Sequence, residues 1–417
     1  MPRGSGIRVP GTLFLAGCIA VSGTLLAFEP PSPSAFRSGF EAQFPKADAN
    51  GPALELESLA ASMGIDLAPK DALKRVRPTE EQAAAYVGPG EYLEGQLKGA
   101  GERIAAPTVA VSRFLEDHAS ALDGAKFLLL RSEPRWEMDV TIGLRGPMAN
   151  VLGHMRLQRL LLTRALLEAS DGRPADAIQT LEASWRLNES LASRPDFLSH
   201  LIVVAIARLQ AGVLRKVDSP AYGWSDRLRD GKLFAGYLTG LQNEFWWNPD
   251  HRDLTGESGA TGRVWRNLAD RLQRGDVCRW TPASMNEVWY EAFASEIPDD
   301  EQQIMDITAM PSLKNSFFRW RRYLIDAELT ALILDARGER AASRRHDWPA
   351  ELLKAGRGVC ADGKWSYRVA PNGTATIALE SDVGEPGSSP FQLPLAFTAG
   401  IPAAPRKAPE RSPEPVF

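Results

Sequence analysis

Cysteine, histidine and excess charge are all scarce in this sequence. The 417 residues include three cysteines and five histidines, and 48 basic side chains against 52 acidic ones give a formal net charge of -4. A chain so close to electrical balance has no strong field to attract nucleic acid, so no nucleic-acid partner is expected. The histidines never stand three or four residues apart, which is the spacing that places two metal ligands on one helix face. The sequence therefore predicts no metal site.

Familiar catalytic and cofactor-binding motifs are also missing. The sequence has no phosphate-binding Walker loop and no dinucleotide-binding glycine pattern after a predicted strand, so we expect no cofactor. Residues 251–254 copy the start of a protein-kinase catalytic loop, but Ser258 stands where the magnesium-binding asparagine belongs. These absences favour a protein that is not an enzyme, and no catalytic residue is assigned.

The uncharged stretch at residues 9–28 is predicted to be a membrane anchor. Its twenty residues are about the length that a helix needs to cross the hydrocarbon core of a bilayer. Arg3 and Arg8 precede it, and basic residues on one side favour a cytoplasmic N terminus. We therefore expect a single-pass protein of the cell membrane whose body lies outside the cytoplasm, in the periplasm.

Cys18 offers a second route to the membrane. The motif Leu15-Ala16-Gly17-Cys18 resembles the lipobox of bacterial lipoproteins, and this resemblance implies lipidation of Cys18 after signal cleavage. An uncleaved anchor is favoured, because residues 19–28 stay apolar where a cleaved lipoprotein has a polar tether. A plain secretory signal is the third alternative. All three place the body on the same side of the membrane.

The two remaining cysteines, Cys278 and Cys360, are candidates for one disulfide. In an oxidising compartment such a bridge would tie the helical body to the C-terminal segment. Closing so long a loop would stabilise the fold by about 4 kcal/mol in the chain-entropy account. The alternative is a pair of buried free thiols.

Apolar residues recur at helical spacing from about residue 53 onward, with proline, glycine, aspartate or serine at the breaks. The sequence predicts a mainly α protein, an irregular multi-helix bundle or repeat-like layer with a small C-terminal β-hairpin and an N-terminal membrane helix. The predicted divisions are an anchor or signal (1–28), a linker (29–50), a helical domain (51–345), a small hairpin module (346–383) and a disordered tail (384–417).

Several of these elements have clear boundaries. Three helices are predicted within residues 148–217, separated at 171–174 and 194–196. The third is apolar almost all round, as a buried helix is. Pro311 opens the longest predicted helix, and Pro371-Asn372-Gly373 is the predicted turn of the hairpin.

Two stretches resemble parts of known families. Residues 157–190, with Gly172-Arg173-Pro174 at their turn, resemble one tetratricopeptide-type helical hairpin, although no second copy follows at the same period. Residues 313–380 are similar to the C-terminal layout of the major pseudopilins of type II secretion, with Trp348-Pro349 and a small hairpin after a long helix. Pseudopilins, however, carry their long helix at the N terminus. The second resemblance implies an accessory role in secretion or pilus assembly.

The predicted ligand-binding surface is the aromatic run Phe245-Trp246-Trp247, together with Asp250 and His251. Exposed tryptophan faces stack on sugars and pair with cations. In the alternative interpretation these rings anchor the core of a loop-rich subdomain.

Two polar groups have both a functional and a structural interpretation. Asp196 and His200, four residues apart near a helix start, could form a carboxylate-imidazole couple for acid-base chemistry. The simpler interpretation is an N-cap aspartate beside a structural histidine. The basic side chains Arg319, Arg321 and Arg322 are expected on the solvent face of the long helix.

These observations predict a membrane-anchored, extracytoplasmic helical protein that acts as an interaction or scaffold module and binds a partner protein. An envelope hydrolase or glycan-binding protein that uses the tryptophan-rich region is the first alternative. A secretion or pilus accessory component is the second. The support is architectural, since one fold hosts many functions.

Overall fold

The computed structural model describes residues 33–67, 80–247, 287, 310–352, 365–380 and 393–400. Within these residues the chain is mainly helical, with one small antiparallel sheet near the C terminus. This confirms the predicted mainly α fold with a C-terminal β element. The predicted anchor and the Cys18 motif lie outside the described residues.

Helices make up most of the described residues. They are α1 (Pro33–Gln43), α2 (Gly51–Ser62), α3 (Glu80–Leu97), α4 (Val109–Asp117), α5 (Ala119–Arg131), α6 (Val151–Ser170), α7 (Pro174–Ala192), α8 (Phe197–Lys216), α9 (Trp224–Arg229), α10 (Lys232–Trp247) and α11 (Met310–Ala342), with a 3-10 helix at Val140–Arg145. Helix α1 lies within the segment predicted to be a linker, where Phe40 packs against Val140.

Helices α6, α7 and α8 follow one another along the chain and pack together, and local sequence explains where they begin and end. Asn150 caps α6 by accepting a hydrogen bond from the Gly153 amide at 3.3 Å. The turn to α7 has Gly172 at a φ of 77°, a conformation that favours glycine, and Pro174 then opens α7. The predicted division of residues 148–217 into three helices is confirmed.

Helix α8 forms the centre of the main hydrophobic core. In the described part of the chain it is the one helix long and apolar enough to cross a membrane, and 83% of its apolar window is buried inside the protein. Val203, Ile206 and Val213 are fully buried in the core shared with α6, α7 and α10. The predicted all-round burial of this helix is confirmed.

Helix α11 separates this core from a second, smaller one. Phe317, Trp320 and Ala331 on one face pack into the main core. On the opposite face, Ile325 and Leu329 pack against the sheet. Because both faces are covered, the helix belongs to the interior along most of its length. Arg321 is also buried, so its predicted place on the solvent face is wrong.

The sheet consists of β1 (Trp365–Val369), β2 (Ala375–Leu379) and β3 (Ala396–Ala399) in that order, with both pairs antiparallel. Strands β1 and β2 form the predicted hairpin, with Tyr367 opposite Ile377. Strand β3 lies within the segment predicted to be a disordered tail. Its four residues bury only Phe397 and Ala399, which is too short an alternation to be recognised in a proline-rich sequence.

We predict that replacing Gly153 with alanine will lower the free energy of unfolding by about 3 kcal/mol. A Cβ atom at this position would overlap the backbone carbonyl oxygen of Asp66, so the start of α6 or the segment that follows α2 would have to move. Urea denaturation of the two proteins measures the change. Gly95 in α3 is the matched control, because a Cβ there meets nothing within 4 Å. Its alanine variant is expected to gain about 0.5 to 1 kcal/mol, and an equal response of the two variants would contradict the prediction.

Candidate functional site

The residues predicted to bind a ligand lie mostly beyond what the structure describes. Residues 245–247 form the end of α10, but their side chains are outside the described part, as are Asp250 and His251. Cys278 and Cys360 also lie outside the described residues, so the disulfide stays a prediction. Within the described ranges, no three histidine, cysteine or acidic side chains are grouped as metal ligands would be.

Asp196 and His200 are brought together, but as parts of a helix cap. Asp196 accepts a hydrogen bond from the Ser199 amide at 2.8 Å and pairs with Arg194 at 2.9 Å, while the Nε2 atom of His200 lies 2.9 Å from the Arg194 carbonyl oxygen. Burial opposes ionisation of Asp196, yet Arg194 and Ser199 outweigh it and lower the pKa of this carboxyl. Burial lowers the pKa of His200 to about 4, against the raising influence of Asp196. The N-cap interpretation accounts for both residues.

A buried polar cluster joins α8 to α11. Its centre is the fully buried carboxylate of Asp326, which lies 3.2 Å from Arg208, 3.1 Å from Arg215 and 3.6 Å from Arg322. Arg215 also donates to the Thr330 hydroxyl at 2.9 Å and to the Pro394 carbonyl at 2.8 Å, which ties the segment before β3 to α8. We call this group the Asp326 cluster.

A second set of contacts extends the same connection toward the end of α11. Arg337 pairs with Glu102 at 2.8 Å and donates to the carbonyl groups of Leu214 and Arg215 at the end of α8. Lys216 donates to the carbonyl groups of Gly99 and Gly101, and burial lowers its pKa to about 8. These side chains satisfy backbone groups and hold helices together, so their role is structural.

An open pocket lies on the surface beside α11, and we call it the Tyr222 pocket. It has a volume of about 300 Å³, and its lining includes Pro220, Tyr222, Leu334, Asp335, Glu339 and Leu352. The wall therefore combines apolar side chains, one aromatic ring and two acidic groups. A pocket of this size lies at the small end of the range for ligand sites in proteins.

The loop between α8 and α9 holds Tyr222 in solvent. Tyr222 is 81% exposed, whereas its neighbours Ala221 and Trp224 are buried. Ala221 has a φ of 42° and Gly223 a φ of 82°, both in the left-handed region. For a residue other than glycine this conformation is costly, and such positions cluster at functional sites. The buried residues on either side of Tyr222 therefore anchor the loop, while the Tyr222 ring stays in solvent and contributes little buried surface.

The opposite wall of the pocket is held by contacts near the end of α11. The Arg340 guanidinium lies 4.3 Å from the centre of the Trp348 ring, and it also pairs with Asp218. The Tyr367 hydroxyl donates to the Pro349 carbonyl at 2.7 Å, which fastens the segment leading to Leu352. The pocket is therefore preformed between three anchored elements.

No sequence pattern predicted this site, because its walls come from residues 220–225, from α11 and from residue 352. The one local signal was the Ser219-Pro220 turn ahead of an isolated tyrosine and a glycine. Comparison with protein families, curated proteins and solved structures finds no match for this chain.

Proposed function

We propose that the protein is a membrane-anchored, extracytoplasmic interaction module whose helical body binds a partner protein through the Tyr222 pocket. The observation that carries the proposal is the exposed Tyr222 ring in the lining of an open, partly apolar pocket, on a loop with left-handed backbone at Ala221. Tyrosine is enriched at protein interfaces because its ring is apolar and its hydroxyl can bond to polar groups.

The size and rigidity of the pocket favour a protein partner. A volume of about 300 Å³ accommodates one or two side chains of a partner and leaves little space for a larger cofactor. Interfaces of proteins draw most of their binding energy from a few aromatic or arginine anchors in such pockets. A preformed pocket also avoids the entropic cost of ordering a loop on binding.

The membrane location in this proposal is supported by the uncharged residues 9–28 and by the arginines that precede them. Tethering to a bilayer raises the effective concentration of a pocket for partners in the same membrane. A module with modest affinity then suffices for stable association.

We expect the full-length, C-terminally tagged protein, solubilised in detergent, to co-purify a stoichiometric partner that is absent when only residues 1–50 are tagged. Tyr222→Ala should reduce the amount of that partner by about tenfold or more, as for an interface hot spot. Phe127→Ala is the control, because Phe127 is also an exposed aromatic residue, at 60%, but lies on α5. The proposal fails if the wild-type protein purifies alone or if Tyr222→Ala keeps the partner.

An accessory role in secretion or pilus assembly is the second candidate. Its support is the resemblance of residues 313–380 to the pseudopilin layout, together with the packing of Ile325, Leu329 and Ile333 of α11 against Ile377 and Phe397 of the sheet. Identification of the co-purified partner by mass spectrometry separates the two candidates, because the second requires a component of such a machine. The side chains that the glycan-binding alternative would use lie outside the described part of the chain.

A further inference from the structure

We infer that the Tyr222 pocket takes a cationic side chain, an arginine above all, from an otherwise apolar segment of the partner protein. This inference rests on the proposed function and names the chemistry of the bound residue. It follows from three properties of the pocket, which are its apolar wall, its aromatic ring and the sign of its charge.

The apolar wall suits the stem of a long side chain. Pro220, Leu334 and Leu352 line the pocket from three separate elements. Arginine and lysine bury their methylene groups along such surfaces while their charged ends remain near water. An aspartate or glutamate has too short a stem to cover this wall.

The charged groups of the pocket lining are all acidic. They are Asp335 and Glu339, which stand four residues apart on α11. Asp335 is already paired with Arg229 at 2.9 Å, and the nearby Arg340 is paired with Asp218. Glu339 is exposed and forms no ion pair with any of the residues that the structure describes. The pocket thus offers a carboxylate to an incoming cation, and a negative side chain would be repelled.

The aromatic ring completes a site for a guanidinium group. The exposed face of Tyr222 can stack on a planar cation, as the Trp348 ring already does with Arg340 in the same region. Arginine stacks on aromatic rings and binds a carboxylate through two parallel hydrogen bonds, whereas lysine acts as a point charge. Arginine therefore satisfies Tyr222 and Glu339 together.

The test uses full-length protein labelled with 3-fluorotyrosine and three peptides, acetyl-Leu-Arg-Leu-amide, its citrulline analogue and its glutamate analogue. Citrulline keeps the shape of arginine and lacks its charge. The chain has seven tyrosines, and the fluorine signal of Tyr222 is the one lost in Tyr222→Phe. We expect the arginine peptide to shift this signal and to bind about tenfold more tightly than the citrulline peptide, because both charge-dependent contacts are lost together.

Three variants give the second line of the test. Glu339→Gln should weaken binding of the arginine peptide several-fold, while Glu116→Gln, at another exposed glutamate, should leave it unchanged. Glu339→Lys should reverse the preference and favour the glutamate peptide. Equal binding of the arginine and citrulline peptides, or no shift with any peptide, overturns the inference.

Different results would disprove the inference about arginine and the proposed function. If the co-purified partner is lost in Tyr222→Ala but retained in Glu339→Gln and Glu339→Lys, the pocket is an interface that does not select a cation, and only the inference falls. If the partner is retained in all three variants, the proposed function falls as well.

Discussion

Asp326→Asn is expected to lower the free energy of unfolding by about 3 to 5 kcal/mol. The substitution keeps the shape of the side chain and removes its charge. Arg208 and Arg215 are then left buried beside each other with no carboxylate between them. The carboxylate of Asp326 supplies the negative charge that compensates their desolvation. Chemical denaturation followed by circular dichroism measures the loss.

An exposed ion pair gives the matched control for this prediction. Asp117 lies 4.0 Å from Arg113 on the surface of α4, and Asp117→Asn should change stability by less than about 0.5 kcal/mol. A similarly small loss for Asp326→Asn would contradict the prediction. It would show that other groups neutralise the arginines of the Asp326 cluster.

Acidification from pH 7 to pH 4 is expected to destabilise the protein by about 6 kcal/mol through two buried histidines. Burial, assisted by Arg194, lowers the pKa of His154 to about 3, and burial lowers that of His200 to about 4. Above those pKa values both rings are neutral in the native protein, while in the unfolded chain they take up protons below about pH 6.5. Their contribution is therefore complete above pH 6.5 and is lost as the pH falls toward 4 and 3.

The number of protons taken up on unfolding can be measured from the slope of the free energy of unfolding against pH. With two such histidines, the free energy of unfolding should fall by about 2.7 kcal/mol per pH unit between pH 6 and 4.5. His154→Gln or His200→Gln should each halve that slope, even where the variant is less stable at pH 7. A slope that is unchanged in both variants would assign the acid sensitivity to other groups.

The helical part of the fold could be predicted because the residues that end one helix and begin the next are neighbours in the sequence. Gly172 and Pro174 mark one break, and Asp196 marks the next, so the ends of α6, α7 and α8 are encoded within a few residues. The burial of α8 could also be predicted from local sequence, because apolar residues occupy almost all of its surface. The hairpin of β1 and β2 was equally visible, since its turn carries Asn372 and Gly373.

What could not be predicted depends on residues far apart in the sequence. The Asp326 cluster brings Arg208 against a carboxylate 118 positions later, and no local pattern distinguishes a buried arginine of this kind from a solvated one. Arg321 was misplaced on the solvent face for that reason. The Tyr222 pocket likewise needs Leu352 beside Pro220, a proximity that exists only after α11 has packed.

The hydrogen bond between α8 and the segment before β3 also determines when the fold can be completed during synthesis. Arg215 bonds to the carbonyl of Pro394, 179 residues later, and Phe397 fills the second core. At a synthesis rate of roughly 5 to 20 residues per second, α8 emerges from the ribosome roughly 10 to 40 seconds before its last partner. Until Asp326 follows, 111 residues after Arg215, the arginines of this long apolar helix have no counter-charge, and until Pro394 follows the helix lacks part of its cover. Newly made chains are therefore expected to depend on a holding chaperone, and those that end before residue 393 to be cleared by proteolysis.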